Sequence, residues 1–275
     1  MSLSLLSSST DRDITGSTML CAIVGHPIRH IRLPQTFNAL MRQWDKDAVL
    51  VPIHVVPDAL ATVISGLRRT ENLAGFAVTV PHKSAALQLC DEASDRAHAV
   101  GAVNVVRREA DGRLVGDILD GIGFVEGLRR NGVEPSGMSV FIAGAGGAAN
   151  AIAFGLAEAG IGSLAIWNRT GAKSADLRER LLRLHPELPI RIATADPAGA
   201  QLVVNATSLG LRDDDPLPLD VERLQADQVV AEIIMKPVMT PLLLAADARG
   251  CRICLGAPML DCQLTLMAEY MGMLR

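Results

Sequence analysis

Ser139-Val-Phe-Ile-Ala-Gly-Ala-Gly-Gly-Ala-Ala149 is the stretch on which the fold turns. An apolar strand runs into Gly144-x-Gly146-x-x-Ala149, a helical pattern follows from Asn150 to Gly160, and Leu164-Ala-Ile-Trp167 returns to a strand. That order gives the small residues a mechanical meaning. Gly144 permits a tight turn, Gly146 lets the main chain approach a pyrophosphate, and Ala149 allows close helix–sheet packing. The free amides at the helix start attract phosphate charge, and Gly147 and Ala148 supply the first of them. The segment reads as a dinucleotide-binding βαβ unit. The alternative is a glycine-rich turn in a Rossmann-like domain without cofactor.

The end of the next strand chooses between dinucleotides. An NAD site usually carries Asp or Glu there for the ribose hydroxyls. Here the chain reads Ile166-Trp-Asn168-Arg169-Thr170, with Lys173 shortly after. An acid is missing and two cations are present, which suits a 2′-phosphate that Arg can grip with its planar fork. The reading is NADP, with NAD possible. The alternative for Arg169 and Lys173 is a solvated helix start.

Outward from this unit, short apolar runs alternate with helical patterns. Ile190–Ile192, Leu202–Asn205, Val229–Glu232 and Cys251–Cys254 read as further strands. Upstream, Cys21–Gly25, Ala48–Val55 and Gly75–Val80 are strands, with helices over Pro34–Trp44, Asp58–Arg69 and Lys83–Cys90. Val103–Arg107 and Leu114–Gly116 form a pair joined at Asp111-Gly112. Gly121–Arg130 is helical, and so is Met259–Leu274, which could pack on either half. The alternation predicts an α/β protein of two domains with mostly parallel sheets, divided near residues 120–135.

The chain has 275 residues, 49% hydrophobic and 20% charged, with a net charge of −4. That balance gives no electrostatic pull toward nucleic acid. Five Phe, two Trp and one Tyr are too few for a base-stacking surface. No apolar run reaches the roughly 18 residues of a membrane span. The Ser- and Thr-rich residues 1–19 read as a flexible tail, and the expected location is cytoplasmic. The five scattered cysteines do not form a disulfide framework. Cys251-Arg-Ile-Cys254 has redox or metal spacing, but it lies on a strand with no second pair and no His nearby. It reads as plain core, and no metal site is expected.

Polar residues gather at strand ends, where open α/β sheets place ligands. Thr79-Val-Pro-His82-Lys83 follows a strand, Gly101-Ala-Val-Asn104 precedes one, and Gly116-Asp-Ile-Leu-Asp120-Gly121 sits at the domain junction. His26, His30 and His82 could each be a base by type and read as pocket lining or surface.

Together these segments resemble the shikimate dehydrogenase family. The matches run in chain order: Gly25-His-Pro27, Val78-Thr-Val-Pro81 with Lys83, Gly101-Ala-Val-Asn104, Gly116-Asp117 with Asp120-Gly121, Gly144-Ala-Gly-Gly147, Asn168-Arg-Thr170, Asn205-Ala-Thr-Ser208, Thr240-Pro241, and Met259-Leu260 with Gln263. The resemblance implies an α/β substrate domain over 20–120, joined by the terminal helix 258–275, and a Rossmann-like NAD(P)-binding domain over 121–257. It implies reversible hydride transfer between nicotinamide and a shikimate- or quinate-like cyclic alcohol or ketone, with Lys83 and Asp120 as the catalytic pair. Thr79, Asn104 and Gln263 would contact substrate. Ala206, Thr207, Ser208, Ile233, Gly256 and Met259 would join the glycine turn and Asn168–Lys173 around the cofactor. The partner is then a small molecule, and the protein a monomer or homodimer. The competing reading is a non-catalytic NADP- and metabolite-binding sensor. A methylene-tetrahydrofolate dehydrogenase-like enzyme shares the two-domain plan.

Departures from the family pattern fall in the substrate shell. The family's first loop reads His-Ser-x-Ser-Pro, and its serines bind the substrate carboxylate; here Ile31 and Leu33 stand in their places, with Arg32 between. Ala77 replaces an Asn, Ile118-Leu119 replaces Asn-Thr, and Met235 replaces the Tyr of Asp-x-x-Tyr in Glu232-Ile-Ile-Met235. Aliphatic side chains cannot donate to a carboxylate and they desolvate it. Shikimate is therefore expected to turn over weakly, with a high KM.

Overall fold

The apolar runs become two six-stranded sheets in a computed structural model that describes residues 13–29, 31–212 and 214–273. His30, Leu274 and the first twelve residues of the expected tail lie outside the described residues.

In the first sheet, β1 (Met19–Gly25) lies between β2 (Ala48–His54) and β3 (Leu73–Val78), parallel to both. β5 (Val105–Arg108) pairs antiparallel with β3 and with β6 (Leu114–Asp117), and the short β4 (Glu92–Ala93) closes the far edge. The hairpin between β5 and β6 turns where Asp111-Gly112 was expected, with Gly112 at φ 88°. Every residue of β3 is buried, as a central strand covered on both faces requires. Helices α1 (Leu33–Gln43), α2 (Leu60–Arg68) and α3 (Lys83–Leu87) connect these strands. α1 buries Phe37 and Met41 from one face, the spacing read from sequence.

Part of the expected tail is structured. Thr18 is buried and its hydroxyl donates to Asp47 Oδ1 at 2.8 Å, while Ser17 Oγ donates to Asp47 Oδ2. Hydroxyls that satisfy one carboxylate fix this turn against the chain entering β2.

In the second sheet all strands are parallel: β7 (Ser139–Ala143), β8 (Ser163–Trp167), β9 (Ile190–Ile192), β10 (Leu202–Asn205), β11 (Val229–Glu232) and β12 (Arg252–Cys254). Their order is β12-β11-β10-β7-β8-β9. The order reverses between β7 and β10, and such a switch point opens a crevice at the carboxyl ends of its two strands. Helices α6 (Gly147–Glu158), α7 (Gly171–Leu184) and α8 (Pro241–Ala248) connect strands of this sheet. β7, β10 and β11 are almost wholly buried and rich in Val, Ile and Ala.

Packing divides the chain into two units. The first holds the described residues up to Ser94, Ala102–Asp117 and those from Met267 on. The second holds Asp95–Gly101 and Ile118–Leu266. The cut falls at Ile118, close to the boundary at 120–121 read from sequence. A Cβ on Gly121 would stand 2.0 Å from the Ala151 carbonyl oxygen, so α5 (Asp120–Arg130) lies backbone to backbone on α6. The terminal helix α9 (Ala257–Tyr270) is also divided, its residues up to Leu266 going with the second unit. α4 (Asp95–Val100), not anticipated from sequence, joins that unit, where Arg180 donates to the carbonyls of Ala99 and Val100.

Candidate active site

In the first unit, the loops after β1, β2 and β3 are laced by hydrogen bonds. Thr79 N donates to Val24 O at 3.0 Å, Val55 N to Gly25 O at 3.1 Å, and His26 N to Val80 O at 3.0 Å. His82 is 1% exposed, which corrects its reading as pocket lining or surface. Its Nε2 lies 2.7 Å from Val55 O; a carbonyl only accepts, so this nitrogen carries the proton. The bond pins the Thr79–Lys83 turn to the loop after β2. Lys83, half-buried, opens α3, and its carbonyl accepts from Val103 N at 3.0 Å. Asn104 is buried beside it; its amide donates to Asp117 O and its carbonyl accepts from Val78 N. Thr79, Lys83 and Asn104 are thus held around one strand end, as the sequence motifs suggested. His26 has its ring stacked on His54, with Nδ1 and Nε2 2.8 Å apart.

Ile31 belongs to the same neighbourhood. A Cβ on Gly25 would stand 2.4 Å from Thr79 Cγ2, 3.3 Å from Ile28 Cδ1 and 3.5 Å from Ile31 Cδ1. Two aliphatic ends and the Thr79 methyl therefore converge over Gly25. Leu33, half-buried, is the first residue of α1, and Arg32 beside it is exposed. Ala77 is buried within β3.

In the second unit, Gly144 takes φ 118°, and its amide donates to Trp167 O at 2.7 Å. A Cβ there would lie 2.8 Å from Ala206 O, so the turn after β7 rests directly on the loop after β10. Gly146 is the N-cap of α6 and offers no side-chain cap, which leaves first-turn amides of that helix for a ligand. A Cβ at Gly146 or Gly147 would meet nothing within 4 Å, and Ala148 is half-buried beside them. This open cradle of amides at a switch point fits a pyrophosphate. After β8, Asn168 Nδ2 donates to Thr170 O, Lys173 N donates to Thr170 O, and Arg169 and Lys173 are both exposed at the start of α7.

Asp120 and Gln263 meet. Gln263 Nε2 on α9 donates to Asp120 Oδ1 on α5 at 2.5 Å, and both residues are buried. The short distance between the helices needs Gly123, whose Cβ would stand 3.1 Å from Gln263 Cβ. Gln263 thus fixes one oxygen of the carboxylate. Lys83 belongs to the first unit and Asp120 to the second. Met235 is exposed, Ile233 is partly so, Gly256 is buried and Met259 half-buried.

One buried acid stood in the sequence as a strand end and as the first residue of Glu232-Ile-Ile-Met235, with no role assigned to it. Glu232 closes β11 and accepts five hydrogen bonds: two from Asn205 Nδ2 (3.1 and 3.0 Å), two from the amides of Ile233 and Ile234 (2.9 and 3.2 Å), and one from Thr240 Oγ1 (3.1 Å). Burial pushes its carboxyl above the usual range, against the pull of the Asn205, backbone and Thr240 hydrogen bonds. The signal available in sequence was a set of polar residues (Asn205, Glu232, Thr240) breaking apolar runs at strand or helix ends.

Cys251 and Cys254 are both buried, and Cys251 Sγ donates to Gln225 O. Burial pushes both thiols up, so they behave as core. Among the described residues no three His, Cys, Asp or Glu side chains are grouped to hold a metal ion, and no helix is long and apolar enough to cross a membrane.

Residues 23–106 match the shikimate dehydrogenase substrate binding domain. Shikimate dehydrogenase (NADP(+)) of Rubrobacter xylanophilus is 41% identical over 86% of this chain and 84% of its own. Among solved structures, the shikimate 5-dehydrogenase of Listeria monocytogenes in complex with shikimate and NAD superposes with a TM-score of 0.89 at 29% identity, covering 94% of this chain and 93% of that one. The 5-ketofructose reductase of Gluconobacter sp. strain CHM43 superposes with a TM-score of 0.86 at 30% identity, covering 93% of both. With that identity over that length, and with its motifs placed at the carboxyl ends of two α/β sheets, the chain belongs to the shikimate dehydrogenase family.

Proposed function

We propose that this chain is an NADP-dependent oxidoreductase that interconverts a cyclic secondary alcohol and its ketone. The observation that carries the reading is the uncapped α6 start beneath the open glycine turn, at the switch point of a fully parallel sheet. Gly144, Gly146, Gly147 and Ala148 would hold the pyrophosphate. Arg169 and Lys173 would hold the 2′-phosphate beside Asn168 and Thr170. Ala206, Thr207, Ser208, Ile233, Gly256 and Met259 would line the rest. The dinucleotide supplies or accepts the hydride when bound.

The chain's own part is proton transfer. In the reducing direction Lys83 donates a proton to the substrate oxygen as the alcohol forms, and in the oxidising direction it takes one back. Asp120, oriented by Gln263, accepts a hydrogen bond from the substrate hydroxyl. Thr79 and Asn104 contact the ring. A sensor would need no proton donor, so Lys83 with Asp120 favours the enzyme.

The substrate is of the shikimate or quinate type in shape, with a weaker demand for a carboxylate. Ile31 Cδ1 beside Gly25 and Thr79 supports this, because an aliphatic end there offers no donor to an anion. The likeness to a protein named for 5-ketofructose, which has no carboxylate, points the same way. The test is a turnover screen of shikimate, quinate and uncharged cyclic hydroxyketones with NADPH, NADP, NADH and NAD. The expected result is efficient turnover of an uncharged or weakly charged ring with NADP(H), and high-KM turnover of shikimate. Efficient shikimate oxidation at an ordinary KM refutes the substrate reading, and tighter NAD than NADP refutes the cofactor reading.

A further inference from the structure

We infer that Glu232 is the positioning residue for the dinucleotide site: a buried carboxylate that holds three ligand-facing loops through a cage made only of donors. The inference rests on the proposed dinucleotide reading and assigns a residue that contacts no reacting atom.

The strand register builds the cage. Asn205 pairs with Glu232 across β10 and β11, and with Ala143 across β10 and β7, so the three residues stand level at the carboxyl end of the sheet. Glu232 accepts from Asn205 Nδ2, from the amides of Ile233 and Ile234, and from Thr240 Oγ1. Glu232, Asn205 and Thr240 are each 1% exposed or less. None of these partners is a cation; every one is a neutral donor. Only a group with acceptors on both oxygens suits that set.

The carboxylate also fixes which way the Asn205 amide points. With Nδ2 committed to Glu232 and to Leu209 O (3.1 Å), Oδ1 must face the other side. There it accepts from Thr207 N (3.0 Å) and Thr207 Oγ1 (2.7 Å), and Thr207 Oγ1 accepts in turn from Leu209 N (3.0 Å). The loop Ala206–Ser208 is thereby set, and Gly144 rests on it: a Gly144 Cβ would lie 2.8 Å from Ala206 O, and Ala206 N donates to Ala143 O at 2.8 Å. On the other side Glu232 fixes the Ile233–Ile234 backbone, against which Gly256 packs so closely that a Cβ would stand 2.5 Å from Ile234 O. Thr240 joins the cage to α8, because its hydroxyl also accepts from Leu243 N at 3.3 Å. One side chain thus reaches the glycine turn, the loop after β10, the loop after β11 and the start of α8.

A carboxamide cannot replace it. In Glu232→Gln one oxygen becomes an NH₂ that faces the Asn205 NH₂, donor against donor, together with either the Ile233 and Ile234 amides or the Thr240 hydroxyl. Asn205 can escape only by rotating its amide, which withdraws the acceptor from Thr207.

The test is direct titration of NADPH binding by its fluorescence, without second substrate, on wild type, Glu232→Gln, Glu232→Asp and Thr240→Val. Thermal midpoints and the separate KM values for dinucleotide and second substrate are measured alongside. Expected are a rise in the NADPH dissociation constant of roughly 10- to 100-fold for Glu232→Gln, from the loss of charged-acceptor hydrogen bonds, and a smaller rise of the same sign for Thr240→Val. Glu232→Asp, which keeps the carboxylate, should recover part of the affinity. The dinucleotide KM should rise with the dissociation constant while the second-substrate KM stays within twofold. Should Glu232→Gln not fold, Thr240→Val carries the decision. Unchanged NADPH affinity in the folded variants, or equal rises in both KM values, overturns the positioning role while the cofactor reading stands. Failure of the wild type to bind NADPH overturns both.

Discussion

The carboxyl ends of the two sheets reach order by different means. In the first unit the loops after β1, β2 and β3 are tied chiefly by main-chain bonds, with one buried imidazole reaching Val55 O. In the second, the loops after β10 and β11 are tied by side chains around the Glu232 carboxylate. A rim laced by backbone leaves its side chains free to change, and that is where the family's polar substrate shell has become Ile31, Leu33 and Ala77. A rim that depends on side-chain donors and acceptors constrains its residues, and there Gly144, Asn205, Thr207 and Thr240 match the family pattern. The comparison sets Ile31, Leu33 and Ala77, on the rim tied by main-chain bonds, against the motif residues on the rim tied by side chains, where the departure Met235 is exposed in the loop after β11.

The largest effect that could break this contrast concerns the first rim. If Lys83 is the proton donor, Lys83→Ala should lower kcat by ~10²–10⁴, with substrate KM changing far less, as steady-state kinetics on the best substrate will read. Unaltered turnover would leave the first rim a binding surface only.

In the second rim, Gly144→Ala should be nearly as severe. Residue 144 is held at φ 118°, and the added Cβ would press on the Ala206 carbonyl. Backbone strain of this kind costs of order 1–3 kcal/mol, and relief would displace the turn that receives the pyrophosphate. The expected outcome is at least a tenfold weaker NADPH titration with a lowered thermal midpoint. Unchanged binding would show that the turn is not the phosphate site.

Arg169→Ala sharpens the comparison within that rim. The guanidinium is exposed at the start of α7. If it grips the 2′-phosphate, NADP affinity should fall by roughly tenfold, the size of one charge-assisted contact, and NAD affinity should hardly move. Equal loss for both dinucleotides would assign Arg169 to general phosphate attraction.

Glycine-dependent geometry was the most legible part of the molecule. Gly144-x-Gly146 could be read from sequence because its reason is local: a tight turn and a close main-chain approach. The parallel pairing of the second sheet follows from the strand–helix alternation around it. Gly121 was legible only as part of a motif, since its contact with Ala151 and Gly155 is tertiary. α4, six residues long, and β4, two residues long, are too short to show a period. Glu232 was quoted in its motif without a role because its partners Asn205 and Thr240 are brought to it by strand register and by the start of α8, neither of which a linear reading contains. His82 beside Pro81 read as pocket lining or surface, and only the fold supplies Val55 O.

Ile31→Ser with Leu33→Ser asks whether the first rim's drift is reversible. Two hydroxyls would return donors to the loop before α1, and shikimate kcat/KM should rise through a lower KM, because such contacts bind substrate and transition state alike. A gain of several-fold is expected, since each neutral hydrogen bond contributes about 1 kcal/mol and Ala77 and Met235 stay unaltered. No gain would mean that Ile31, although it lies over Gly25, does not face the ring.

The smallest effect should come from the thiols, and it tests both sheets at once. Burial pushes Cys21 in β1 up to about 12, and burial with the nearby Asp91 charge pushes Cys90 up to about 11. Cys251, Cys254 and Cys262 are raised by the same desolvation. The thiolate is the reactive form, so a thiol with its pKa at 12 offers roughly one part in 10⁴ of it at pH 8. Each folded-state value lies above the unfolded one, so the folded chain holds these protons more tightly. The stability this adds is present in full below the ordinary thiol range and is lost as pH climbs through that range toward the folded values. Titration with a disulfide reagent at pH 8 should therefore label the native protein slowly and the denatured protein at all five cysteines, with native labelling accelerating as pH rises. Cys21 and Cys90 belong to the first unit and the other three to the second. Fast native labelling confined to one set would identify the unit that opens more readily, and would show that the two sheets differ in local stability as well as in how their rims are tied.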